Sequence, residues 1–216
     1  GGVTVLLLLP DAISSSHLGL AFLFLALTTV LATVTSPSWE GRLTLEPPDR
    51  GALRRGVVAA AVLVFGQSLV GAVVRHTDSG MACPDVPLCL GEWIPPLTNG
   101  MVALHFSHRV LGVLVLGLVL WVGHVAFWRS MEPRMRALGL AAGLVAVAQV
   151  LLGFLSVYYR LGVVPVSLHT LLAATLLVLL VAMATLTWAP KKPGGHGEGR
   201  TQGREGPRGL PAEHPA

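Results

Sequence analysis

Charge is what this 216-residue sequence has least of. Asp, Glu, Lys and Arg make up 12% of it, against about 25% in a soluble domain, which excludes an ordinary water-facing globule. Acidic side chains number 11, and none lies inside a long apolar run. The chain starts at Gly1 and shows no basic n-region followed by a cleavage site, so no signal peptide is read, and the chain is expected to be a fragment. Cysteine is nearly absent: Cys83 and Cys89 share one loop, and the apolar runs contain none. The pI near 9.7 reflects loop and tail charges, which removes the case for a nucleic-acid surface.

What the sequence has is apolar length. It is 53% hydrophobic with a mean hydropathy of +0.69, and it reads as an all-α integral membrane protein, a polytopic transmembrane helical bundle. Spans are predicted at Ser16 to Thr35, Leu53 to Arg75, Val102 to Trp128, Met135 to Tyr158 and Val166 to Trp188. At about 1.5 Å per residue each covers a hydrocarbon core of roughly 30 Å. Basic residues gather in alternate connections: Arg42, Arg50, Arg54 and Arg55, then Arg129 and Arg134, then the tail from Lys191 onward. The positive-inside rule places these in the cytoplasm and the Cys83/Cys89 loop outside. The tail, 190–216, is rich in Gly, Pro and charge and is expected to be a disordered cytoplasmic extension.

With that orientation His17, His76, His105, His108 and His169 all lie near the outer ends of their segments, whereas His124 lies near an inner end beside Trp121 and Trp128. An ungapped repeat adds to the pattern. A shift of 152 residues lays Gly1, Val5, Leu9, Ser15 and His17 over Gly153, Val157, Leu161, Ser167 and His169. Gln67 and Gly71 are spaced as Gln149 and Gly153 are, and these read as helix-packing positions. The repeat predicts one complete four-helix half, 53–189, with its outer Cys loop at 76–101. It is preceded by a cytoplasmic linker, 36–52, and by 1–35 as the remnant and last helix of an earlier half. Tandem halves of this kind are common in membranes.

The chemistry centres on LHFSHRVLG, 104–112, and SLHTLLAA, 167–174. An imidazole at lipid depth is costly unless engaged. His108 and His169, at matching depth on the third and fifth spans, are read as axial ligands of one enclosed haem. The bland alternative is a pair of structural histidines bonded to nearby carbonyls. Zinc or copper would ordinarily recruit Cys or carboxylates, which the spans do not offer. His105, one turn nearer the outside, is expected to reach the interface, or else to serve a haem propionate. Arg109 is expected to snorkel outward or to meet an anion such as a propionate. Cys83 and Cys89 enclose PDVPL; a disulfide and a redox-active thiol pair both remain open.

VGAVVRHTDSGMACPDVPLC, together with the HFSHR and SLHTLLAATL helix starts, resembles the haem A synthase family of membrane oxidoreductases. The resemblance runs from Gly1 to Trp188. It implies oxidation of the methyl group of haem O to the formyl group of haem A in the bacterial cytoplasmic (inner) membrane, for assembly of terminal oxidases. By position it implies that His108 and His169 bind haem b, that His17 is half of a substrate haem site, and that Cys83 and Cys89 form the outer disulfide. The family's catalytic glutamate would lie upstream of Gly1, with His105 at its pseudo-equivalent, so no catalytic residue is assigned and the fragment alone is expected to be inactive. Partners so implied are haem O, the lipid bilayer, haem O synthase, an electron donor and a second copy of the chain; nucleic acid is not among them. Rival readings are a b-type cytochrome that only transfers electrons and a cofactor-free transporter or assembly subunit.

Overall fold

A computed structural model describes residues 11–37, 39 and 47–189. The first repeat's stub at 1–9, much of the linker expected at 36–52, and the tail at 190–216 fall outside the described residues.

The described residues form five long helices: α1 (Asp11–Val34), α2 (Pro47–His76), α3 (Gly100–Arg129), α4 (Pro133–Tyr158) and α5 (Val163–Leu186). All five are long and apolar enough to cross a bilayer, and the protein is an integral membrane protein. A 3-10 turn, Ser79–Met81, follows α2. The helices outrun the predicted spans at their N-termini because those spans were drawn from hydropathy, whereas a helix continues until its backbone is capped. α2 begins at Pro47, inside the expected linker, since proline is tolerated in a first turn where no N–H is needed. α3 begins at Gly100 because the Asn99 side chain accepts the Met101 N–H at 2.9 Å. α4 ends in a tight reversal: Arg160 and Leu161 take φ of 51° and 60°, and the Leu161 N–H reaches back to the Ser156 carbonyl at 2.7 Å.

α2, α3, α4 and α5 form a closed ring in which each packs on its two neighbours, and α1 lies along the α2–α5 seam. Apolar side chains at heptad-like spacing fill the ring: Leu53, Val57, Ala60 and Val64 on α2 meet Val115, Val119, Val122 and Ala126 on α3. Leu176, Leu180 and Met183 of α5 close the same core. Two glycines let α3 and α4 touch backbone to backbone, since a Cβ on Gly123 would stand 2.7 Å from the Gly139 carbonyl oxygen. Phe22, Thr29 and Thr33 are the buried side chains of α1. Both threonines satisfy their hydroxyls on their own helix, at the carbonyls of Leu25 and Thr29.

This apolar filling occupies only part of the ring's length. It ends at Val64, Val115, Ala146 and Ala173, and nearer the Cys loop the interior changes character.

Candidate functional site

Beyond Val64 and Val115 the ring's interior adds amides, imidazoles and glycines to its aliphatic side chains. A cavity of about 50 Å³ marks the changeover, lined by residues of all four ring helices, among them Gln67, Gly112, Ala146 and Gln149. His108 sits about 12 Å along α3 from its start and His169 about 9 Å along α5, so they share a depth just on the Cys-loop side of the cavity.

Each imidazole rests on a glycine of the preceding helix. A Cβ on Gly71 of α2 would stand 3.0 Å from His108 Cε1, and one on Gly153 of α4 would stand 3.3 Å from His169 Cε1. The glutamine one turn earlier serves the same histidine in each case. Gln67 Nε2 donates to the His108 carbonyl at 2.7 Å, passing over Gly112, where a Cβ would crowd that nitrogen at 3.2 Å. The Gln149 backbone carbonyl accepts from His169 Nδ1 at 3.0 Å, and the Gln149 amide nitrogen lies 3.4 Å from His169 Nε2. α2–α3 and α4–α5 are thus two renderings of one Gln-x-x-x-Gly plus His unit. The glutamines, read from sequence as packing positions, bond the histidines directly. Their signal was present: a carboxamide deep in an apolar span is costly unless it has a partner.

The donor set narrows what could be held. With Nδ1–H given to a carbonyl, His169 carries its lone pair on Nε2, the tautomer a metal ligand needs. His108 Nδ1, Gln67 Oε1 and Gln149 Oε1 are buried with no hydrogen-bond partner among the described residues, an arrangement that a structural pair of histidines does not explain. No group of three or more His, Cys, Asp or Glu among the described residues could hold a metal ion. Two imidazoles alone suit a metal that brings its own equatorial donors, as haem iron does. The cavity as it stands is smaller than a porphyrin.

One turn nearer the helix start the structure departs from expectation. His105 is 4% exposed, so it does not reach the interface: it lies under the Cys loop, with Nδ1 3.3 Å from the Cys83 N–H and Nε2 3.3 Å from Arg109 Nε. A neutral imidazole has one lone-pair nitrogen, so only one of these contacts is a full hydrogen bond. Arg109 does not snorkel. Its Nη1 donates to the carbonyls of Asp85 and Leu88, each at 2.8 Å, and Nη2 donates to that of Cys83. With the His105 contact, four of its five N–H groups are taken among the described residues. Cys83 and Cys89 form a disulfide buried against Val102 and Phe106. It closes beside a two-residue reversal at Leu90 and Gly91, both with positive φ.

Other histidines stand apart. His17 is exposed on α1, and His124 is exposed on α3, its ring 6.3 Å from that of Trp128. His76 closes α2, half-buried.

Residues 1–181 match the model of the COX15-CtaA family, described as cytochrome oxidase assembly protein. The chain belongs to this family. Its relatives include heme A synthases of Caulobacter vibrioides, 31% identical over 82% of the chain and 53% of the relative, and of Maricaulis maris, 30% identical over 82% and 52%. The heme A synthase of Symbiobacterium thermophilum is 36% identical over 56% of the chain and 40% of its own length. The chain spans about half the length of the curated relatives it matches most extensively. Family membership bears out the resemblance read from the Cys-loop and histidine motifs.

Proposed function

We propose that the chain is the cofactor-binding part of a haem A synthase-type membrane oxidoreductase, with His108 and His169 holding a b-type haem between α3 and α5. The observation that supports this most is convergence: two imidazoles at one depth, each against a glycine and each belonging to a histidine that a glutamine bonds, at the backbone carbonyl of His108 and at the ring of His169, beside a cavity reached by all four ring helices. A haem held by two imidazoles supplies one-electron transfer through its iron. The chain's own residues do the rest. The Gln149 carbonyl holds His169 as the Nε2 lone-pair tautomer, the Gln149 amide beside Nε2 would have to turn aside for that nitrogen to serve as a ligand, and the apolar core below excludes water.

His17, exposed on α1, is proposed as one imidazole of a separate site for haem O, whose methyl group is oxidised to the formyl of haem A. α1 brings no second histidine, so the partner imidazole and the catalytic group come from elsewhere. A propionate contact from Arg109 would use its one remaining Nη2 hydrogen. From the basic residues in alternate connections we infer further that the Cys loop faces outward from a bacterial cytoplasmic membrane and the tail inward, with an electron donor and haem O synthase as partners.

The test is spectroscopic and chemical. His108→Ala and His169→Ala are expected to abolish low-spin haem absorbance in the purified protein, while His124→Ala retains it; equal spectra in all three would count against the ligand assignment. Chromatography of haem extracted after turnover, with the partner imidazole and catalytic group supplied, separates a synthase, which converts the ring methyl, from a cytochrome that only passes electrons.

A further inference from the structure

The end of the bundle away from the Cys loop carries a feature unrelated to the histidines. An open groove of about 590 Å³ runs along α2, walled by Val58, Val62 and Leu63 and by Trp188 just beyond α5, with Arg54 and Arg55 at its mouth. Its geometry is set by a third arginine. Arg50 Nε donates to the Thr187 carbonyl at 2.9 Å and Nη2 to that of Ala189, which ties the end of α5 to the first turns of α2. The tie brings the Trp188 ring to 5.3 Å from the Arg54 guanidinium carbon, so the indole orients that cation.

Polarity in the groove runs one way. Arg54 and Arg55 lie in the first turns of the span Arg50–His76, about 6–8 Å along the helix from Arg50. From Arg54 to Leu63 the helix rises about 14 Å, and the wall over that distance is aliphatic. Among the described residues the lining carries two guanidiniums and no carboxylate. An ion of opposite charge joined to a long apolar chain matches all of it, and an indole at the boundary suits a lipid's glycerol region.

We propose that this groove binds one anionic phospholipid. Its phosphate lies on Arg54 and Arg55, its glycerol edge against Trp188, and one acyl chain along Val58, Val62 and Leu63. A zwitterionic lipid would set its own ammonium beside two guanidiniums, and free phosphate would leave the aliphatic wall unused.

Native mass spectrometry of the full chain, released from detergent with equal mole fractions of phosphatidylglycerol and phosphatidylcholine, tests this. One phosphatidylglycerol is expected to survive collisional activation that strips phosphatidylcholine. The Arg54→Gln/Arg55→Gln double variant should lower its retention about tenfold at unchanged helical circular dichroism. The Arg54→Lys/Arg55→Lys variant, which keeps the charges, should recover most of it, and Trp188→Leu should lower it a few-fold. Wild-type retention by the Gln double variant, equal retention of phosphatidylcholine, or displacement of the lipid by millimolar inorganic phosphate would each overturn the proposal, the last by showing a site for a soluble anion.

Discussion

Gly71 and Gly153 set how closely two helices approach the imidazoles, so substitutions there act on the site more than on the fold. A methyl group at Gly71 would meet His108 Cε1 at 3.0 Å, and at Gly153 would meet His169 Cε1 at 3.3 Å. Overpacking of this kind costs about 1–3 kcal/mol, and the better helix propensity of alanine returns about 1 kcal/mol. Gly71→Ala is therefore expected to weaken haem affinity about tenfold at nearly unchanged thermal stability, with a smaller loss for Gly153→Ala; haem titration against a melting curve checks both. The imidazoles themselves were legible in the sequence, because a histidine inside an apolar run is conspicuous. The glutamines were seen but misread. Their spacing from glycine was plain, yet that the Gln67 amide crosses to the His108 carbonyl, and that the Gln149 carbonyl accepts from His169 Nδ1, depends on which helix faces which.

At the scale of single elements, the Cys loop is a folded lid clasped by a charge from α3. Arg109 gathers the carbonyls of Cys83, Asp85 and Leu88, and a guanidinium does this because its donors form a planar fork. Arg109→Gln is expected to destabilise the loop by about 3 kcal/mol, read as faster hydrogen exchange over residues 82–99. With the sulfurs of Cys83 and Cys89 buried, at 0% and 1% residue exposure, the same variant should speed their reduction by dithiothreitol. Arg109→Lys should restore neither property, because one ammonium nitrogen cannot stand in both the Nη1 and the Nη2 positions. The sequence marked Arg109 as an unusual intramembrane charge and offered an anion or the interface to satisfy it. It could not show a cluster of backbone carbonyls, since carbonyl direction follows from loop conformation and not from residue type. His105 was misplaced for the same reason: the loop covers it.

Across the whole molecule, close backbone contact holds the ring where α3 meets α4. A side chain on Gly139 would strike Ala126 Cβ at 2.8 Å and the Gly123 carbonyl oxygen at 3.0 Å, and backbone cannot rotate away. Gly139→Val is expected to destabilise the bundle by about 3 kcal/mol, whereas Gly117→Val, which meets nothing within 4 Å, should be nearly silent; unfolding in sodium dodecyl sulfate from a mild detergent measures the difference. Five membrane-crossing helices followed from composition alone, because a bilayer demands long apolar runs and internally satisfied backbone, and residue type carries that demand directly. Family likewise lay in local motifs. The closed α2–α5 ring, the position of α1 on its seam and the polar chamber at one end were decided by tertiary packing. A lipid-facing and a protein-facing leucine are the same letter, so hydropathy does not distinguish the two faces of a helix, and only the assembled bundle shows which side chains point inward.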